Sequence, residues 1–300
     1  MSFESVYRLL EDRFRGPQSL IKERLEVYRP LIQELFSRGA PKSAVDLGCG
    51  RGEWLSICSS LGLDCYGVDQ SDAMLDAARD IGLQVVNQDM FSYLYEASDE
   101  SRDIISAFHV IEHLEQIQIQ ALIREAYRVL KPGGILILET PNYCNPNVAS
   151  STFYLDPTHR TPIHPELIRL YMEDAGFPVS VYVYLQGRRN DDPMTRPTMH
   201  QIFFESPYDL AIIASKDESI RTRDQLVAWS SRATSSSFDS IIASYDQYFQ
   251  EKMTQLQENA DTLSSISRRL DIIEGNVQRR SQRNRLTQLV VYLKKMLMRS

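Results

Sequence analysis

The sequence predicts an α/β fold: a seven-stranded, mostly parallel sheet with helices on both faces, followed by a C-terminal coiled-coil helix. Three observations predict it. From residue 44, short apolar runs alternate with helical stretches, the texture of a parallel sheet wound on both sides. A strand runs directly into a glycine-rich turn at Gly48, Gly50 and Gly52, and beyond residue 238 apolar residues recur every seven.

In chain order, Leu20, Ile21, Leu25, Tyr28, Leu31, Ile32 and Leu35 have helical spacing, which predicts N-terminal helices over 1–40. Strands are expected near 44–47, 65–68, 84–87, 103–108 and 135–139. A helix from His164 to Ala175 stops at Gly176, a common C-terminal signal. Val179–Leu185 and Leu210–Ser215 are β-rich and complete the sheet as an antiparallel pair, so the folded domain spans 41–215. The polar stretch 216–237, ending in Ala-Thr-Ser-Ser-Ser, reads as a linker with some helix. Over 238–281 the sevenfold series is Ile242, Phe249, Leu256, Leu263, Leu270 and Val277. Companion positions are Tyr245, Lys252, Asn259, Ile266, Ile273 and Arg280, half of them apolar. Residues 282–300 form a basic amphipathic tail, with Leu286, Leu289, Val290, Leu293, Met296 and Leu297 at helical spacing.

Composition bounds the function. Apolar residues make up 43% of the 300, enough for a core in a soluble protein. The first residues mix charge with apolar side chains, so no cleavable leader is expected. No run approaches the roughly 18 apolar residues of a membrane span. Cys49, Cys58, Cys65 and Cys144 lack paired spacing, which points to reduced thiols in the cytoplasm. The net charge of −7 is uneven: residues 1–278 carry 26 basic against 40 acidic side chains, while 279–300 carry seven basic and no acidic ones. An acidic body excludes nucleic acid as the main partner.

The chemistry concentrates in Val45-Asp46-Leu47-Gly48-Cys49-Gly50-Arg51-Gly52. Glycines let the backbone turn sharply and approach a ligand closely. The spacing G-x-G-x-G differs from the dinucleotide fingerprint G-x-G-x-x-G. Asp69 ends the second strand, 17 residues after Gly52, and faces the same crevice, where it can accept from both hydroxyls of a ribose. Asp89 ends the third strand and can accept from an adenine amino group.

With VDLGCGRGEWL, YGVDQSDAML, NQDM, DIISAFHVIEHL and RVLKPGGILILETPN in this order over 44–142, the chain resembles the class I S-adenosylmethionine-dependent methyltransferases. The resemblance implies their Rossmann-like fold and S-adenosyl-L-methionine as cofactor. It further implies that Gly48, Gly50, Asp69, Asp89 and His109 line the cofactor site, with Met90 against the adenine and Asp46 and Gln70 beside them. Arg24 and Tyr7, on the N-terminal helices, are candidates for the cofactor's carboxylate. A narrower resemblance lies in Phe14 to Tyr28 and in FYLDPTHRTPIHPELIRLYMEDAGF (Phe153 to Phe177). These segments are similar to bacterial methyltransferases of O-antigen and capsule assembly, which methylate a sugar hydroxyl, sometimes ending the chain.

A sugar hydroxyl needs a base to take its proton during attack, and histidine suits that near neutrality. His159, with Asp156 as its orienting partner in Leu155-Asp156-Pro157-Thr158-His159, is the leading candidate, because this segment lies over the carboxyl ends of the strands. His113 is second, its tautomer set by Glu112. His113, His159 and His164 have no metal-ligand spacing, so no metal site is expected.

The expected function is therefore methyl transfer to a sugar hydroxyl of a glycan or lipid-linked glycan. The alternatives are a small-molecule methyltransferase acting on a quinone precursor, since HVIEHL resembles that group too, and a non-catalytic scaffold. The heptads imply a homo-oligomer, and the basic tail implies an anionic membrane surface or a glycosyltransferase partner. The expected location is the cytoplasm, peripheral at the inner membrane.

Overall fold

The protein is described here from a computed structural model covering residues 16–36, 42–188 and 198–297. Tyr7 lies outside these residues. The chain divides into two units, one ending at Ile242 and the other beginning at Ala243.

The first unit is built on strands β1 (Ser43–Leu47), β2 (Asp64–Asp69), β3 (Val85–Asn87), β4 (Arg102–Phe108), β5 (Leu130–Pro141), β6 (Val179–Leu185) and β7 (Asp209–Ser215). They form one seven-stranded sheet in the order β3-β2-β1-β4-β5-β7-β6. The first five run parallel, and β7 lies antiparallel to both β5 and β6. The expected strands and the antiparallel closing pair are all present. Alternating side chains feed two cores, because a strand's side chains point to opposite faces. Ile105, Leu136, Leu138 and Ile212 pack with the helices Gln116–Val129 and Pro165–Ala175. Ile104, Ile135, Ile137 and Ile213 face the N-terminal helices Gln18–Leu25 and Arg29–Phe36.

Residues 216–237 depart from the expected linker. Ile220–Ala233 is a 14-residue helix that buries Leu226 and Trp229 in the second core. The Trp229 ring stacks on Tyr28 with centroids 5.8 Å apart, and its indole N–H donates to the Val27 carbonyl at 3.1 Å. Gln225 donates to the Glu34 carbonyl, and Arg232 pairs with Glu34 at 2.6 Å. Composition concealed this because two large anchors suffice to dock an otherwise polar helix.

The second unit belongs to one uninterrupted helix, Phe238–Leu297, which runs through both the 238–281 stretch and the basic tail. At about 1.5 Å per residue the helix is roughly 90 Å long. Phe249, Met253, Leu256, Leu263, Ile266, Leu270, Ile273 and Val277 are all exposed on it. Before Leu263 the companion apolar positions, Met253 and Ala260, follow four residues after Phe249 and Leu256. After it, Ile266 and Ile273 follow three residues after Leu263 and Leu270. Of the expected companions, Lys252 and Asn259 give way to their neighbours Met253 and Ala260, while Tyr245 lies on the stripe with its ring stacked on Phe249; the stripe changes phase at Leu263 as a three-residue insertion would make it. No helix among the described residues is long and apolar enough to cross a membrane.

Because Trp229 anchors a docked helix, Trp229→Ala is expected to cost about 3–5 kcal/mol in denaturant unfolding of the first unit. A residue in a mobile linker would shift stability by no more than about 0.5 kcal/mol.

Candidate functional site

The strand order reverses between β1 and β4, so the loops leaving their carboxyl ends part and open a crevice. A cavity of about 1050 Å³ lies there. Every site residue singled out from the sequence lines it, apart from Tyr7, which lies outside the described residues.

One end of the cavity is the turn after β1. Gly48 has φ of +71°, and a Cβ there would meet a Val110 methyl at 2.5 Å. Gly50 also has positive φ, at +51°, but a Cβ there would meet nothing within 4 Å. The first glycine admits the neighbouring chain, and the second leaves open cleft where a ligand's backbone contacts would fall. Asp69 accepts from Gly50 N–H at 2.9 Å and from Ser71 N–H at 2.8 Å. It therefore fastens the turn while facing the cavity. Asp89 caps the helix Met90–Glu96 through Ser92 N–H at 2.8 Å and accepts from Gln70 at 2.8 Å. Met90 lies beside it. Both carboxylates keep further lone pairs for a ribose and an amino group. Asp46, buried, accepts from Ser106 at 2.7 Å. These residues fit the cofactor that the motifs imply, and the excess of carboxylates suits a cationic ligand.

At mid-cavity stands His109, which directly follows β4 with φ of +55°, a conformation rare for residues with a Cβ. Its ring is surrounded by Glu112 at 3.3 Å, Glu139 at 3.5 Å and Asp209 at 3.7 Å. Burial alone would lower the imidazole's pKa, but the negative charges of Glu112, Glu139 and Asp209 around it outweigh that and raise it to about 10. His109 is a fixed cation. Asp209, desolvated and beside Glu139, is raised to about 6 despite the opposing pull of His109. Tyr28 donates its hydroxyl to Glu139, and Arg24 lies close enough for its charge to act on Asp209.

Two expectations are corrected here. Glu112 points its carboxylate at His109 and accepts from Thr140 at 3.0 Å, so it does not set the His113 tautomer. Asp156 does not hold His159, whose Nε2 is 3.9 Å away, beyond a hydrogen bond. Its Oδ1 accepts instead from the Thr158 amide at 2.7 Å and the Thr158 hydroxyl at 2.6 Å. That hydroxyl lies 2.8 Å from His113 Nδ1. Its single proton goes to Asp156, so the hydroxyl oxygen accepts from His113 Nδ1–H, and the lone pair sits on His113 Nε2. Burial lowers the His113 pKa more than its neighbours raise it, so the ring is neutral near pH 7. His159 donates from Nδ1 to the Phe153 carbonyl at 2.7 Å, and its ring meets that of His113 edge-on, with centroids 4.8 Å apart. His164 is not with them: it caps the helix Pro165–Ala175.

Glu139, Asp209, Tyr28 and Thr158 were not foreseen. A glutamate inside the apolar strand ILILETP was the available signal, since a buried strand charge requires a partner.

The family profile described as "Methyltransferase domain" matches residues 20–180, more than half of the chain. A probable S-adenosylmethionine-dependent methyltransferase of Mycolicibacterium smegmatis is 29% identical over 150 residues, 50% of this chain and 57% of that protein. The ubiquinone biosynthesis O-methyltransferase of Pseudomonas putida is 31% identical over 108 residues, 34% of this chain and 46% of that protein. The chain thus spans about half the length of these relatives. A solved S-adenosylmethionine-dependent methyltransferase from Archaeoglobus fulgidus superposes with a TM-score of 0.58 at 28% identity, over 70% of this chain and 99% of that one.

The raised pKa of His109 fixes the sign of a pH effect. Its charge contributes stability that is fully present below about pH 6.5 and is lost as pH rises through about 10. His109→Gln is expected to destabilise the protein by about 3–5 kcal/mol near neutrality, because the buried carboxylates lose their counter-ion. Thermal unfolding followed across that pH range should show the wild-type advantage shrinking toward pH 10. A constant advantage would mean the ring is not a cation.

Proposed function

Because the chain belongs to the methyltransferase-domain family, we propose that it moves a methyl group from S-adenosylmethionine to a hydroxyl oxygen, and that this hydroxyl belongs to a sugar of a bacterial O-antigen or capsule. The cofactor, when bound, supplies a methyl group activated on a sulfonium. The protein's own residues do the rest. Asp69 and Asp89 hold the ribose and the adenine amino group, and the Gly48–Gly50 turn sets their approach. Arg24 is placed to meet the cofactor's carboxylate.

The observation that carries the hydroxyl reading is the chain from Asp156 through Thr158 to His113. A hydroxyl must shed its proton as it attacks, at a group that is neutral and has a lone pair near pH 7. His113 meets both conditions at the cavity wall opposite the nucleotide end. His159, expected as the base with Asp156, lies edge-on beside it and presents the same nitrogen.

The sugar reading is supported by the Phe153 to Phe177 segment and by a cavity with room for an acceptor beside the cofactor. A phenolic quinone precursor is the second reading, favoured by the ubiquinone biosynthesis relative. The long helix fits self-association through its apolar stripe. The basic run 279–300 fits an anionic lipid surface, with a glycosyltransferase as the other candidate partner.

His113→Ala is expected to lower turnover about 10²–10⁴-fold while calorimetry shows cofactor affinity little changed. Asp69→Ala is expected to cost about 2–4 kcal/mol of cofactor binding through lost charge-assisted bonds. Purified enzyme offered a nascent glycan and a quinone precursor in parallel separates the acceptors: methylation of the quinone precursor alone ends the sugar reading. A chain cut after Ile242 is expected to keep cofactor binding while becoming monomeric in light scattering and failing to pellet with anionic liposomes. Retained oligomers would remove the helix as the assembly device.

A further inference from the structure

His113 and His159 face each other in a way that a hydrogen-bond network does not complete. One ring nitrogen of each and one Glu112 carboxylate oxygen all lie within 4.8 Å of one another. The two Nδ1 atoms are engaged, by the Thr158 hydroxyl at 2.8 Å and the Phe153 carbonyl at 2.7 Å. Both partners accept, so each ring keeps its proton on Nδ1 and presents Nε2 as a lone pair. Asp156 spends Oδ1 on Thr158 and turns Oδ2 toward His159 Nε2 at 3.9 Å. Glu112 Oε1 is buried and accepts no hydrogen bond from a described residue; His109 Nδ1 lies 3.3 Å away without hydrogen-bond geometry. A ring nitrogen of each histidine and one Glu112 oxygen thus converge, with Asp156 Oδ2 beside His159. The His109 imidazolium faces Glu112 from one side only, and a cation held between the two rings and Glu112 would share that carboxylate's charge.

The outer contacts are those of metal-binding histidines, which hold their second nitrogen on a carbonyl or on a group tied to a carboxylate. The geometry points to a divalent transition-metal site of the zinc class, held by His113, His159 and a Glu112 oxygen. Two imidazoles with a carboxylate favour such an ion over magnesium, which takes oxygen donors and keeps its waters. All three residues line the cavity, so an open coordination position would face the acceptor. The ion's role rests on the hydroxyl reading: its charge lowers the pKa of a coordinated hydroxyl. With the ion on His113, its ring nitrogen no longer takes the proton, so the hydroxyl proton passes to water instead, the oxygen–carbon bond forms, and the sulfur–carbon pair stays on sulfur. Ion binding itself does not depend on that reading.

The test is calorimetric titration of chelator-treated full-length protein with Zn²⁺ and with Mg²⁺, each alone and without cofactor or acceptor. A single Zn²⁺ per chain is expected, with no Mg²⁺ bound. His113→Ala and His159→Ala should abolish Zn²⁺ binding, Thr158→Val should weaken it about 10–100-fold, and His200→Ala should leave it unchanged. Circular dichroism of Thr158→Val establishes that its loss is not unfolding. Absence of Zn²⁺ binding, or binding indifferent to His113, His159 and Thr158, overturns the site. If Zn²⁺ fails to bind while His113→Ala still abolishes turnover, the metal site is wrong and hydroxyl activation stands. If Zn²⁺ binds as described but no hydroxyl acceptor is methylated, the metal site stands and the hydroxyl reading falls.

Discussion

The His109 ring joins three separate parts of the sheet and its loops. Its three carboxylate neighbours come from the turn after β4, from β5 and from β7. Glu139 in turn receives the Tyr28 hydroxyl, and Tyr28 stacks on Trp229 of the helix Ile220–Ala233. A buried carboxylate requires a cation or a proton. One imidazolium meets that requirement for parts of the chain a hundred residues apart, and thereby fixes the floor of the cavity. The strained backbone at His109 is held by the same contacts, together with its amide bond to the Glu139 carbonyl at 2.8 Å.

From that floor the two halves of the cavity take different chemistry. Toward β2 and β3 the walls are backbone turns and carboxylates, suited to hydroxyls, an amino group and positive charge. Toward the 146–159 segment they are imidazoles whose outer nitrogens are hydrogen-bonded. The division follows from which group each carboxylate reaches. Asp69 and Asp89 fasten the turns around the nucleotide end through amide donors, whereas Asp156 reaches the His113 ring through the Thr158 hydroxyl.

The long helix obeys a separate logic. Its apolar stripe, with a phase change at Leu263, is longer than an isolated soluble helix would keep uncovered. The acidic residues lie upstream and the basic ones gather at its far end, so the first unit and the terminus carry opposite charge.

The sequence by itself determined whatever depends on near neighbours. Strand and helix periods, the Gly48–Gly50 turn, Asp69 and Asp89 at strand ends, and the sevenfold stripe all follow from residues a few positions apart. The helix at 220–233 escaped because its anchoring depends on Tyr28 and Val27, some 200 residues earlier. Which histidine Asp156 serves also escaped, since Asp156, Thr158 and His159 are adjacent in sequence and only the loop's curl selects the hydroxyl. The cage around His109 was decided wholly by tertiary structure. β7 slots between β5 and β6 with Asp209 opposite Pro141, and only that antiparallel insertion brings a third carboxylate to the ring. Charges buried together are paired by strand order, and strand order is a property of the assembled sheet.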